Sequence, residues 1–327
     1  MKVIALLPVK NEEWILPTTI PHLWHFADEI LALDINSTDA SFDLLKQFNV
    51  QVQPEGGRDP NNYSACRQRL LDWGRERGGT HFVWLDADEA FTSHFAPNLR
   101  ATLGQLEPGQ KLVLDWLSLW KSPFKIRADN SLWKDLFKDF VFCDDGKARF
   151  GDTRLHEGRT PGANTDQTWV RVPRAQGAVL HFQFVPAERF QIKQAYQRCR
   201  EYVLRTTRNP WVLNEKYAIT LDPGAVACVD VPPLWIAGLA GLDQLPHASG
   251  ERYLAEIFDY FDQQDIRAFE PLQIWHIPEL RAEFVRRTQR APRPLRVRLL
   301  AWRARATVGR LLPARVRSLI WRAAKGV

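Results

Sequence analysis

Residues 82–89 read Phe-Val-Trp-Leu-Asp-Ala-Asp-Glu, an apolar run that closes on three carboxylates within four positions. Such a run, bounded by polar residues, suits a buried strand. Asp86 and Asp88 then sit just past its carboxyl end, where open α/β sheets receive their ligands. Side chains two apart in an extended segment point the same way. The two aspartates are therefore expected to converge on one hard divalent cation, which takes oxygen ligands. The competing reading is a plain turn, because Asp hydrogen-bonds its own backbone and favours turns. The pair alone does not decide between them.

A strand end of that kind needs a sheet to hold it, and the preceding residues supply one. Residues 2–7 form an apolar strand, and 12–25 a helix made irregular by Pro17 and Pro21. Residues 29–33 make a second strand ending at Asp34, and Ser37-Thr38-Asp39 offers caps for a helix near 40–47. A short third strand at 49–53, a helix over 61–75 and Gly78-Gly79 lead into the run before Asp86. Strands alternating with helices in this order predict a parallel sheet with right-handed crossovers. Beyond residue 110 the alternation loosens. Residues 111–119 read as a strand, 120–183 as strands and loops rich in Trp and Phe, and 186–206 as a helix with Pro near its start. The stretch 207–283 is mixed and Pro-rich, with a helix at 250–263.

Composition narrows the class. A chain of 327 residues with 45% hydrophobic and 25% charged residues is long enough to bury a large core in one or two domains. Cys66, Cys143, Cys199 and Cys228 are scattered without a Cys-x-x-Cys pair, which argues against a disulfide framework or zinc knuckle and fits a reducing compartment. The N-terminus lacks the pattern of a signal peptide. No apolar run approaches the ~20 residues of a spanning helix. The net charge of +6 conceals an asymmetry. Residues 284–327 hold twelve Arg and one Lys with no acidic residue, which leaves 31 basic and 38 acidic residues for the body. The body is acidic, and the high pI belongs to the tail.

Four features then occur in order: Leu-Pro-Val-Lys-Asn-Glu-Glu (7–13), Asp-Ile-Asn-Ser-Thr-Asp (34–39), Arg67 with Arg69, and Asp86-Ala87-Asp88-Glu89. Together they resemble the family 2 glycosyltransferases, whose GT-A fold binds nucleotide sugars. That family's pattern is Pro-x-x-Asn-Glu after the first strand, Asp-x-Gly-Ser-Thr-Asp after the second, and Asp-x-Asp. The resemblance covers residues 1–100. Arg-Leu-His156-Glu157-Gly and Leu-His181-Phe are similar, more loosely, to the bacterial lipopolysaccharide-core branch, and 207–327 are not covered.

The resemblance implies an α/β GT-A fold, a Rossmann-like mixed sheet flanked by helices with a helical C-terminal extension. It implies a domain over 1–185, with a nucleotide-sugar-binding half at 1–110 and an acceptor half at 111–185. A mostly helical extension over 186–283 and a basic tail over 284–327 would follow. Asp86 and Asp88 would hold Mg2+ or Mn2+, with His181, at the end of the run Ala-Val-Leu, completing the metal site. Pro8, Val9, Asn11 and Glu12 would lie against the base, Asp34 would accept from the base or ribose, and Ser37, Arg67 and Ala87 would line the donor. A guanidinium offers a diphosphate paired donors. One departure stands out: Ile35 and Asn36 replace a polar residue and Gly, so the base is left open, though Asn tolerates the left-handed backbone.

An inverting transferase also needs a base for the acceptor hydroxyl. Glu157 is the first choice by its place in the His-Glu pair, Asp152 the second and Glu89 the third. The remaining histidines (22, 25, 81, 94, 247 and 276) show no ligand spacing. Trp116, Trp120 and Trp133, with Lys121, Lys125, Arg127, Lys134 and Lys138, fall where an acceptor half belongs. Aromatic faces stack on sugars and basic groups meet phosphates, yet a core of Trp under a solvated basic face is the better expectation.

In the tail, Val316, Leu319, Ile320 and Ala323 share one face of a helix opened by Pro313, with Arg315, Arg317, Arg322 and Lys325 away from it. This predicts a membrane-surface anchor for anionic lipid and a cytoplasmic protein peripheral on the inner face of the membrane. Nucleic acid is not expected, because the body is acidic and no recognition motif appears. The leading reading is a metal-dependent transferase moving a hexose from a nucleotide-diphosphate sugar to a glycolipid, lipopolysaccharide-core or polysaccharide acceptor. Its rivals are a non-catalytic nucleotide-sugar-binding protein and a nucleic-acid binder acting through the tail.

Overall fold

The structure, a computed structural model, describes residues 1–55, 63–129, 136–151, 158–162, 168–204, 209–218 and 226–293. The chain divides into two compact units, Met1–Ala187 with Val226–Ala248 and Glu188–Ala225 with Ser249–Val327.

The first unit begins as the sequence predicts. Strand β1 (Val3–Val9) leads through helix α1 (Leu16–Leu23) to β2 (Glu29–Asp34). Helix α2 (Ser41–Gln47), β3 (Gln51–Pro54), α3 (Tyr63–Glu76) and β4 (His81–Trp84) follow. β1 pairs in parallel with both β2 and β4, and β2 in parallel with β3, giving the order β3-β2-β1-β4. Successive side chains of these strands go to opposite faces. Val3, Ala5 and Leu7 join Leu16, Ile20 and Leu23 of α1, while Ile4 and Leu6 join Cys66, Leu70 and Leu71 of α3. Burial on both faces explains why these strands read as unbroken apolar runs rather than as alternations. Gly79 matters here, since a Cβ on it would stand 2.6 Å from the Phe82 ring.

Two local expectations are revised. Strand β4 stops at Trp84, and residues 86–89 form a turn closed by Glu89 N–H donating to the Asp86 carbonyl at 3.0 Å. The N-cap position of α2 is Ala40, which has no capping side chain; of the expected caps, Asp39 Oδ1 accepts from the N–H of Ser41, the first helical residue, at 3.0 Å, while Ser37 and Thr38 are engaged by Asn11.

The sheet then turns mixed. β5 (Glu89–Phe91), helix α4 (Leu99–Leu103), β6 (Lys111–Trp120), β7 (Lys125–Arg127), β8 (Phe137–Cys143), β9 (Trp169–Arg171) and β10 (Ala178–Phe184) complete most of it. β8 lies antiparallel between β4 and β6, and β10 runs parallel to β6 and antiparallel to β5. The long buried β6 carries Trp116, whose Nε1 reaches Glu89 in the turn that follows β4. The result is a mixed α/β sheet flanked by helices.

The second unit is helical among the described residues. It holds α5 (Ala187–Val203), of which all but the first residue belongs here, and α6 (Pro210–Lys216). Between Val226 and Ala248 the chain returns to the first unit, with β11 (Cys228–Asp230) and α7 (Pro233–Ile236). The expected continuous extension over 186–283 is therefore interrupted. β11 adds antiparallel to β7, and Val231, Leu239, Leu242 and Ala248 share a core with Leu180 and Phe182. Helices α8 (Glu251–Gln263) and α9 (Pro278–Thr288) finish the second unit around Ile257, Phe261, Phe269, Leu280 and Phe284.

The boundary expected at 283/284 falls inside α9. Phe284 is fully buried, Arg287 pairs with Glu283 and Asp262, and Arg290 makes a two-bond pair with Glu270 at 2.6 and 2.8 Å. Hydrogen bonding from Arg290 holds the Glu270 carboxyl down at about 2. So the first ten residues of the predicted anchor are a folded part of this unit; its remainder, 294–327, lies outside the described residues. No helix among the described residues is long and apolar enough to cross a membrane.

Candidate active site

Strand order reverses between β1 and β4: the chain runs from β1 outward to β3 and then returns to the other side of β1. In open α/β sheets the crevice beyond the carboxyl ends at such a reversal is where ligands bind. The loops after β1, β2 and β4 meet there, and the motif residues occupy all three.

The first two loops are stitched together. Asn11 N–H donates to Ser37 Oγ at 2.9 Å, Asn11 Nδ2 to Thr38 Oγ1 at 3.1 Å, and Thr38 N–H to Asn11 Oδ1 at 2.8 Å. Glu12 N–H donates to Ser41 Oγ at 2.8 Å, and the Glu12 carboxylate accepts from Trp14 Nε1 at 2.7 Å. Asn11 and Asn36 both adopt the left-handed backbone, at φ 56° and 53°, which Asn tolerates better than most residues. The turn survives the absence of Gly at position 36. Pro8 and Val9 end β1 beside Leu33 and Asp34.

Asp34 is 5% exposed. Its Oδ2 accepts from Ser37 N–H at 3.1 Å, while Oδ1 is buried without a hydrogen-bond partner among the described residues. An orphaned carboxylate oxygen in a dry place is costly unless something donates to it. Glu55, one residue past β3, is a second buried carboxylate with an unpartnered oxygen, and its N–H donates to the Asp34 carbonyl at 2.8 Å. Arg69 clamps this strand end, donating to Glu55 O, Pro54 O and Gln53 Oε1. The two arginines of the third motif thus part company. Arg67 lies over the Trp84 ring, 5.2 Å from its centroid, and donates to the Gly158 carbonyl.

The turn at 86–89 gathers charge from several elements. Glu89, with its side chain fully buried, accepts from Trp116 Nε1 at 2.6 Å, from Asp86 N–H at 2.9 Å and from both arms of Arg159 at 2.7 Å each. Arg159 Nη2 also donates to Asp86 Oδ2 at 2.8 Å. Burial works against the guanidinium, but Asp86 and Glu89 outweigh it and hold Arg159 above its ordinary value. Burial also raises Asp86, yet Arg159 and then Arg67 bring it below the usual carboxylate range. Burial pushes the Glu89 carboxyl up, with Arg159 opposing. Glu89 is consequently a strut rather than a base, because it is sealed from any acceptor and held on every side. That corrects its place among the candidate bases. The backbone turns at 86–89, as the competing reading expects, and the turn collects the carboxylates.

Asp88 is 4% exposed, with Oδ1 3.5 Å from His181 Nε2. Phe182 N–H donates to the Asp88 carbonyl at 2.9 Å and Thr19 Oγ1 to that of Ala87 at 2.9 Å, which fixes the turn from both sides. His181 stacks on Trp116 with ring centroids 4.4 Å apart, and Lys138 Nζ lies 3.6 Å from the Trp116 centroid. Burial, then the field of Arg159, lowers the Lys138 ammonium to about 8.

Among the described residues no group of three or more His, Cys, Asp or Glu is arranged to hold a metal. An all-protein cage is therefore not the fit. Mg2+ and similar ions keep waters and take one or two carboxylates plus substrate phosphates, and that pattern suits Asp88 with the half-exposed Asp86, whose side chain is 36% accessible. His181 is a weaker ligand candidate. Ligating histidines donate their other nitrogen to an outer partner, and His181 Nδ1 has none among the described residues.

Asp152 and Glu157, the expected bases, lie outside the described residues, as do Trp133 and Lys134. Trp116 and Trp120 are buried, Lys125 pairs with Asp230 and Arg127 with Asp129, so these members of the supposed acceptor face are internal or locally paired. Sequence reading missed Arg159, Glu55 and the pivotal place of Trp116. A usable signal existed for the first: Asp86, Asp88 and Glu89 need cations, and Arg159 directly follows the quoted His156-Glu157-Gly158 run.

No protein-family model matches the sequence, and no curated protein does. Solved structures give partial likenesses. Staphylococcus aureus TarS matches at 14% identity and TM-score 0.38, over 82% of this chain and 54% of that one. Glucosyl-3-phosphoglycerate synthase from Mycobacterium tuberculosis, in complex with Mn2+, uridine diphosphate and glucosyl-3-phosphoglycerate, matches at 20% and 0.27, over 36% and 44%. Mannosyl-3-phosphoglycerate synthase from Rubrobacter xylanophilus matches at 21% and 0.26, over 38% and 41%. The chain spans about half the length, or less, of each of these proteins.

Proposed function

We propose that this chain is a metal-dependent, inverting family 2 glycosyltransferase of GT-A type. It takes a nucleotide-diphosphate sugar and passes a hexose to a glycolipid or lipopolysaccharide-core acceptor. One observation carries the reading: an Asp34 carboxylate oxygen without a partner among the described residues and the Asp86–Glu89 turn stand at the carboxyl ends of the parallel strands, flanking the strand reversal. A nucleotide diphosphate has the matching layout, hydrogen-bond donors on base and ribose at one end and phosphate charge at the other.

In this reading Asp34 accepts from the base or ribose, and Asn11 and Ser37 hold the loop that covers it. Arg67 faces the diphosphate. Mg2+ or Mn2+, held by Asp86 and Asp88 with His181 beside them, supplies Lewis-acid stabilisation of the leaving diphosphate. Glu157, or Asp152, takes the acceptor hydroxyl proton. The freed oxygen forms a bond to the anomeric carbon from the face opposite the diphosphate, and the sugar–phosphate C–O bond breaks, its electron pair leaving with the diphosphate. Arg159 and Trp116 fix Glu89, and through it the backbone that aims Asp86.

Thermal unfolding across a panel of nucleoside diphosphates, with and without Mn2+, tests this. A ligand bound only by the folded state, at a hundred times its Kd, adds about 2.7 kcal/mol. Stabilisation by at least one nucleotide, lost in Asp34→Ala, is the expected outcome. A panel in which nothing stabilises the chain under either condition removes the proposal.

The tail extends the reading to a peripheral protein on the inner face of the cytoplasmic membrane. Because 284–293 complete the second unit, the informative truncation ends at residue 293. The full chain should sediment with vesicles rich in anionic lipid and the truncated one should not; equal sedimentation dismisses the anchor.

A further inference from the structure

The Arg159 guanidinium is held unequally by its two carboxylates. Glu89 takes a two-bond fork, 2.7 Å on each arm, and is locked from behind by Trp116 Nε1 and the Asp86 N–H. Asp86 takes one bond at 2.8 Å, through the outer arm, and its side chain is the solvent-facing member of the cluster. Any rearrangement here therefore breaks the Asp86 contact first. The fork on Glu89 stays, and one Nη2 hydrogen is released toward the crevice.

We infer that Arg159 is a resident counter-ion for Asp86, exchanged for a divalent cation only when a nucleoside diphosphate arrives with it. This rests on the donor-site reading above. A divalent ion approaching Asp86 alone meets a fixed positive charge within hydrogen-bond reach of the same carboxylate, with Arg67 also near enough to act on it. Like charges at such separations repel strongly in a partly dry site. A diphosphate changes the balance by bringing negative oxygens. The metal takes Asp86, and the released guanidinium N–H turns to a phosphate oxygen while Glu89 keeps the arginine in place. Metal and nucleotide then assist one another, and such coupling is reciprocal. Arg159 is thereby a binding residue for the diphosphate, reached through a carboxylate exchange.

The test measures free Mn2+ by its paramagnetic resonance signal during titration of the full chain, with Mn2+ alone and with Mn2+ plus UDP or GDP. Wild type should hold Mn2+ alone at least about tenfold more weakly than with the preferred nucleotide. Arg159→Gln should tighten Mn2+ alone by a similar factor and shrink the nucleotide effect. Arg159→Lys, which keeps a charge beside Glu89 but lacks the second arm that reaches Asp86, guards against a fold lost in the first variant and should move in the same direction by a smaller factor; near-ultraviolet circular dichroism verifies both. Equal affinity for Mn2+ alone in wild type and both variants overturns the exchange and leaves Arg159 a strut. Absence of nucleotide-dependent Mn2+ retention in every form overturns the donor-site reading, and the inference with it.

Discussion

Arg159→Leu is expected to lower the unfolding free energy by roughly 3–5 kcal/mol, the range for removing one partner of a buried ion pair. The Glu89 side chain is fully buried and that of Arg159 only 7% exposed, so water cannot replace the lost fork. Removing the arginine strands a carboxylate between Trp116 Nε1 and the Asp86 N–H, beside Asp86 and Asp88. The double change Glu89→Gln with Arg159→Leu removes the stranded charge, although the single amide oxygen of Gln can replace only one of the two carboxylate oxygens that accept from the Trp116 indole and the Asp86 N–H. It should recover part of the loss. Urea unfolding of wild type, both singles and the double gives the coupling directly. An Arg159→Leu loss of less than 1 kcal/mol, the value of an exposed pair, means the site is wetter than its geometry says. In that case the carboxylate exchange at Asp86 also loses its basis, because it depends on the fork holding.

The parts of this fold legible in the sequence are those governed by local rules. β1, β2 and β4 are buried on both faces, so their apolar runs stand out, and Asp34 and Asp86 mark where two of them end. Asn36 signalled a left-handed turn by residue type alone, whereas the same geometry at Asn11 is seen only in the structure. What escaped was set by distant partners. Whether residues 86–89 continue a strand or turn depends on Glu89 reaching back to the Asp86 N–H, and on Arg159 arriving from seventy positions later. The return of 226–248 to the first unit rests on a three-residue strand pairing with β7, too short to show a period. The basic residues from 284 to 293 looked continuous with the tail, since charge in a sequence does not reveal that Glu270, Glu283 and Asp262 answer it.

Asp88→Ala should remove donor turnover almost completely, by roughly a thousandfold or more, equivalent to about 4 kcal/mol of transition-state stabilisation. Asp88 is chosen over Asp86 because the two fail differently. Asp86 also holds Arg159, so its loss disturbs the cation cluster and the turn together. Asp88 stands apart from that fork, beside His181, and its backbone carbonyl, rather than its side chain, is what Phe182 N–H uses to fix the turn. The alanine variant therefore keeps the turn, the Glu89–Arg159 fork and the Asp34 end of the crevice. Nucleotide should still stabilise it against heat, though Mn2+ should no longer add to that effect. Release of nucleoside diphosphate from sugar donors, followed with and without Mn2+, reads the turnover. His181→Ala sorts the remaining ambiguity: a loss comparable to Asp88→Ala makes the imidazole a ligand, whereas a loss of tenfold or less, the lower edge of typical coupling, makes it a wall stacked on Trp116. If Asp88→Ala itself turns over within tenfold of wild type, the aspartate is only a turn residue, and a metal-bound diphosphate at this strand end is the wrong mechanism for the chain.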